Sequence, residues 1–87
     1  MRLRGDRLSW REIDDEIVAL DLESSVYFTA NSTASVLIRR LATGAERGEL
    51  VSALVDEFDV DDATATAGVD ALLQDLDERG LLDRDGA

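Results

Sequence analysis

The sequence predicts an α+β domain, a three-stranded antiparallel β-meander followed by three helices in a winged-helix-like order. Three observations carry this. Short alternating or β-branched runs fill the stretch from Arg7 to Thr29, and apolar residues then recur at helical spacing from Ala34 to Leu76. The change of period falls at Asn31, a residue suited to begin a helix. Glycines at 44 and 80 stand where helices need to stop.

Residues 1–6 are polar and are expected to fray. From Arg7 to Ile13, Leu8 and Trp10 alternate with Ser9 and Arg11, the period of a half-buried strand. Asp14-Asp15 reads as a turn. In the second strand, 16–22, Val18, Leu20 and Leu22 share one face, and Glu23-Ser24 is a short hairpin connection. Ser25 to Thr29, aromatic and β-branched, is the third strand, so the middle segment takes the centre of the sheet.

Asn31 then caps a first helix carrying Ala34, Leu37, Ile38 and Leu41, which Gly44 ends in a left-handed cap. A second helix from about Glu46 to Phe58 buries Leu50, Val51, Leu54, Val55 and Phe58. Asp61 or Asp62 caps a third, whose apolar stripe is Val69, Leu72, Leu73 and Leu76 and whose stop is Gly80. Its first half, Ala63 to Gly68, is built of small residues and leaves room for something to lie across it. Leu81-Leu82-Asp83 adds a short extended tail.

Composition narrows the function. The chain of 87 residues is read as one domain, 1–87, with its core from about 8 to 82. It has no Cys, His or Lys, which removes the usual general base, the thiol and Schiff-base nucleophiles and the imidazole and thiolate metal ligands. The chain is therefore read as not an enzyme, with no cofactor and no metal. Asp14-Asp15 and the acids at 59, 61 and 62 lack the spacing and central Gly of a calcium loop and are read as turn and cap residues. Ser32, Thr33 and Ser35 at a helix start are read as caps in preference to a phosphate site.

The net charge of -11 disfavours nucleic acid and anionic membranes. The third helix carries Asp61, Asp62, Asp70, Asp75, Asp77 and Glu78 with no cation before Arg79, so DNA would repel it. With no signal-peptide core or spanning segment in the sequence, the cytoplasm is the default location.

The third strand closes the meander and so lies at an edge. It has none of the Lys, Pro or inward charge that blunts an exposed edge. Two readings stand. Tyr27 and Phe28 pack on both faces of a covered strand, which is the commoner arrangement. Alternatively the edge is left open for another chain to pair with, by β-augmentation.

The order of these segments resembles the PqqD family, the peptide-recognition domain of ribosomally made and modified peptides. The resemblance runs from a Trp-containing first strand through Ile17-Val18-Ala19-Leu20-Asp21 and Tyr27-Phe28-Thr29-Ala30-Asn31-Ser32-Thr33-Ala34. It continues through Leu41-Ala42-Thr43-Gly44 and the helix to Phe58. It ends with Val69-Asp70-Ala71-Leu72-Leu73 and Leu76-Asp77-Glu78-Arg79-Gly80-Leu81-Leu82. The chain departs from the family pattern with Ala30 in place of Leu, Ser25-Val26 in place of Gly and Ser32 in place of Pro. Ala30 implies a smaller contact where the sheet meets the first helix.

The resemblance implies that the leader of a precursor peptide adds as a strand beside the third strand. Its side chains then enter a groove against the third helix. Carried over by position, the binding residues are Val26, Tyr27, Phe28 and Thr29 on the strand and Ala65, Val69, Asp70, Leu73 and Asp77 on the helix. The acids on that helix imply a leader with Lys or Arg flanking its apolar anchors. A free-standing chain of this kind is most like the leader-binding protein of lasso peptide biosynthesis, whose partner is a leader peptidase. The alternatives are a PqqD-type carrier serving a radical SAM enzyme and, further off, a winged-helix transcriptional regulator. A carrier with a prosthetic arm on Ser24 or Ser25 lacks an attachment motif. The open edge also predicts a homodimer if two copies pair through it.

Overall fold

In the computed structural model, which describes residues 1–84, five strands and three helices follow one another. They are β1 (Arg2–Leu3), β2 (Leu8–Ile13), β3 (Glu16–Asp21), β4 (Val26–Ala30), α1 (Ser32–Thr43), α2 (Arg47–Phe58), α3 (Asp62–Glu78) and β5 (Leu82–Asp83). The sheet runs β2-β3-β4, antiparallel throughout, and β1 pairs with β5 in a separate ribbon. The meander followed by three helices is the α+β architecture expected from the sequence. Residues 85–87, the end of the expected domain, lie outside the described residues.

Asp14 and Asp15 link β2 to β3 with φ of 51° and 68°. Two left-handed central residues make the primed turn whose twist matches a two-residue hairpin. The connection from β3 to β4 is longer than Glu23-Ser24. Asp21 pairs with Val26, so four residues intervene, and Ser25 takes a left-handed φ of 60°. Asp21 organises the loop, its carboxylate accepting the Glu23 N–H at 3.0 Å.

Val18, Leu20 and Leu22 do share a face, but it is the outer one, and Leu22 is half exposed. Burial falls instead on Ile17, Ala19 and Asp21. Both faces of this strand are largely apolar, so alternation alone could not say which meets the helices.

Asn31 accepts the Ala34 N–H at 2.9 Å and caps α1. Gly44 follows with φ 102° and ψ 134°, a positive φ but not the left-handed helical cap expected. Helix α2 begins with a reciprocal capping box between Glu46 and Glu49. Asp61 caps α3 through the Thr64 N–H at 2.7 Å. At the far end the Leu81 N–H reaches the Leu76 carbonyl and the Gly80 N–H reaches that of Asp77. With Gly80 at φ 72°, this is a Schellman stop.

The core is a single cluster in which Ile17, Leu37, Ile38, Leu41, Leu50, Leu54, Val69, Leu76 and Leu81 are essentially sealed from solvent. The amino-terminal residues do not all fray. Leu3 is buried, β1 pairs Leu3 with Leu82, and the Met1 carbonyl accepts the Ala45 N–H at 2.8 Å. A lone Leu between arginines carries no period, so its burial could not be read locally.

One buried polar residue joins sheet to helix. The Ser35 hydroxyl on α1 accepts the Ile17 N–H at 2.9 Å and donates to the Ala30 carbonyl at 3.0 Å. Ile17 and Ala30 are register partners. The hydroxyl thus stands where a ladder bond would close the pair, and it pins the end of β4 to α1.

Candidate functional site

The backbone of β4 decides what its margin offers. In an antiparallel sheet, alternate residues direct their N–H and C=O to opposite neighbours. The Leu22 N–H reaches back to the Arg7 carbonyl on the β2 side. Ser35 bridges Ile17 to Ala30 on the β4 side. Odd-numbered residues of β3 therefore point to β4, and Val26, Phe28 and Ala30 point back. Tyr27 and Thr29 present their N–H and C=O groups outward. Among the described residues β4 has no strand partner but β3, so this edge is open.

The side chains divide the same way. Tyr27, 69% exposed, and Thr29 lie on the outer face with Val18 and Leu20. Val26, Phe28 and Ala30 lie on the helix side. Ala30 is buried, Phe28 is half-buried against the core and Val26 is 49% exposed. Val26 and Phe28 thus face the helix side of the sheet, with Phe28 packed against the core.

Helix α3 reaches this side of β4 at its carboxy-terminal end. The Arg79 guanidinium lies over the Phe28 ring, 4.8 Å from its centroid, and joins the end of α3 to the middle of β4. At about 3.6 residues per turn, Gly68, Leu72 and Asp75 share the flank of Arg79. Asp70 and Asp77 stand roughly half a turn away. The Arg47 fork grips Asp70 at 2.7 and 2.8 Å, and Arg84 lies 3.5 Å from Asp77. Ala65, Val69 and Leu73 form the buried seam beneath, at 1, 0 and 5% exposure.

The expected helix residues are thus not gathered on one accessible surface. Three are core, and the two acids are engaged on the flank away from β4, so they add little negative charge beside it. Leu72, Asp75 and Arg79, which share the flank that reaches Phe28, were not among the expected residues. Leu72 had been assigned to the buried stripe with its neighbour, and only the helical phase relative to β4 separates them. Among the described residues no three His, Cys, Asp or Glu side chains group in a way that could hold a metal. No helix among the described residues is long and apolar enough to cross a membrane.

Three carboxylates sit below their ordinary range. For Asp21, burial opposes the charge but is outweighed by hydrogen bonds from the Glu23 and Ser24 loop, with Arg7 adding attraction. Thr64 holds Asp61 low through its hydroxyl and N–H, and the Arg47 hydrogen bond does the same for Asp70. The unfolded chain therefore binds more protons between each folded value and about pH 4. The stability these groups supply is present above about pH 4 and is lost as pH falls through the folded values. Urea midpoints measured from pH 6 downward are expected to fall more steeply below pH 4 in the parent chain than in Asp21→Asn. Parallel curves would remove Asp21 from this account.

The family model described as coenzyme PQQ synthesis protein D, PqqD, matches residues 16–82. Among solved structures, TbiB1 in complex with the TbiA(beta) leader peptide is similar with a TM-score of 0.86 and 29% identity, covering 100% of both chains. Lasso peptide synthetase B1 complexed with the leader peptide is similar with a TM-score of 0.78 and 31% identity, covering 92% of this chain and 93% of that one. Comparison with curated proteins gives no match.

Proposed function

The chain belongs to the PqqD family, and from that premise we propose that it captures the leader of a ribosomally made precursor peptide as an added strand on β4. The observation that carries this reading is the outward N–H and C=O pairs of Tyr27 and Thr29 on an edge whose helix-side residues, Val26 and Phe28, lie by the end of α3. Main-chain bonds to such an edge give affinity and register, and alternate side chains entering the groove give selectivity. The similarity to two B1 proteins solved with leader peptides supports the same use.

The chain acts by delivery, without catalysis of its own. Its lack of His, Cys and Lys agrees with that role. Holding a precursor beside a maturation enzyme raises its effective concentration there. In a lasso peptide pathway that enzyme is a leader peptidase, and the cytoplasm, where precursors are made, is the place of action. The whole chain serves as one recognition domain, and a second copy pairing through β4 would compete with the leader.

Amide hydrogen exchange tests this directly. Saturating the chain with its precursor's leader is expected to slow exchange at the Tyr27 and Thr29 N–H groups, with no change on the outer edge of β2. Protection at β2 alone, or nowhere, would overturn the assignment of the edge.

A further inference from the structure

We propose that Arg79 sets the charge preference of this groove, taking an Asp or Glu side chain of the bound segment at the level of Phe28. The inference rests on the reading that β4 accepts an extended peptide, and it goes further by naming one residue class that the peptide must carry.

The guanidinium is held in place from two directions. Its plane lies over the Phe28 ring, and its Nε faces Asp75 at 3.2 and 3.3 Å. Both contacts leave the terminal Nη groups without a bond among the described residues. A guanidinium fixed in this way presents a fork that matches a carboxylate bidentately. The pair with Asp75 is long and is partly exposed on both sides, 35% and 52%, so it competes weakly.

A second arginine lies near the same end of α3. Arg7 passes Gly80, its Nη1 lying 3.3 Å from where a β-carbon would stand there, and its Nε is buried without a partner. Glu23 takes only the far tip of Arg7, at 2.5 Å. Asp70 and Asp77 are engaged on the opposite flank of α3, so the acid nearest Arg79 is its own partner, Asp75. Arg7 and Arg79 thus stand among Asp21, Glu23 and Asp75, and the preference falls to the terminal Nη groups of Arg79 alone.

Strand geometry fixes the pattern the peptide must show. Groove-facing positions recur every second residue. The acid is therefore flanked at two residues to either side by side chains facing Val26 and Ala30, and those neighbours are apolar.

A displayed library of random 16-residue peptides, selected on the parent chain, on Arg79→Gln and on Arg79→Glu, tests the inference. Parent-selected sequences are expected to align on one Asp or Glu between apolar residues at two-residue spacing. Replacing that acid by Ala is expected to weaken binding about tenfold. Arg79→Gln should lose the preference, and Arg79→Glu should exchange it for Lys or Arg at the same position. A merely structural role for Arg79 could not produce that exchange. Peptides that bind at β4, as judged by loss of binding to Thr29→Pro, but show no acid or keep it on Arg79→Glu would overturn the role of Arg79 and leave the groove intact. A library with no sequence dependent on β4 would overturn both.

Discussion

Thr29→Pro is expected to abolish leader binding while the chain stays folded. The Thr29 N–H points away from β3, so its removal breaks no bond of the existing sheet. Proline is tolerated on edge strands for that reason. In the complex the same change deletes one main-chain bond and sets a ring against the incoming backbone. The leader carbonyl that met the N–H is left unpaired as well. Together these are expected to weaken binding on the order of a hundredfold or more. Titration of a fluorescent leader gives the affinity, and circular dichroism gives the fold. Parent-like affinity in a folded Thr29→Pro chain would show that the strand is not the receptor. Val18→Pro, in the central strand, is the contrasting control and is expected to unfold the sheet.

Ser35→Ala is expected to give the largest loss of stability from so small a change. The hydroxyl is fully buried and serves two backbone groups on different strands. Its removal leaves the Ile17 N–H and the Ala30 carbonyl facing a gap in which neither finds another partner. Leaving such groups unsatisfied costs about 1 to 3 kcal/mol each, so a total of about 2 to 6 kcal/mol is expected. Urea denaturation should show the lowered midpoint. Because Ala30 ends β4, the variant should also release that end from α1 and weaken leader binding under conditions where it remains folded. Ser35→Thr keeps the hydroxyl and should retain the bridge, at the cost of fitting a methyl group into a packed site. A loss under 1 kcal/mol on Ser35→Ala would mean that the two strands close the gap themselves.

The architecture was legible in the sequence because its signals are local. Asn31 and Asp61 are caps that bind N–H groups three residues on, and Gly80 is a stop that needs only its own positive φ. The edge position of β4 was legible for the same reason, since the last strand of a meander is an edge wherever the helices go. The α3 wall was not. Which side of a helix faces a strand depends on how the two elements pack, and the apolar stripe Val69, Leu72, Leu73 and Leu76 is wider than the buried seam it contains. Leu72 and Leu73 are adjacent in sequence, yet Leu73 is core and Leu72 is only partly buried against it. The ion pairs of Asp70 and Asp77 likewise join residues far apart in the chain, 23 positions in the case of Arg47 and Asp70. The role of Leu3 was hidden because its partner, Leu82, lies at the other end of the sequence.

That pairing bears on when the protein becomes competent during its synthesis. The ribosome releases the meander early, and with it the residues that would hold a leader. The terminal turn of α3, however, is fixed by Leu81 entering the core and by Leu82 docking on Leu3. A nascent chain halted before Leu81 has the receiving strand but no anchored rampart beside it. The end of α3 beside β4 is thus secured only once Leu81 and Leu82 have emerged, well after the strand itself.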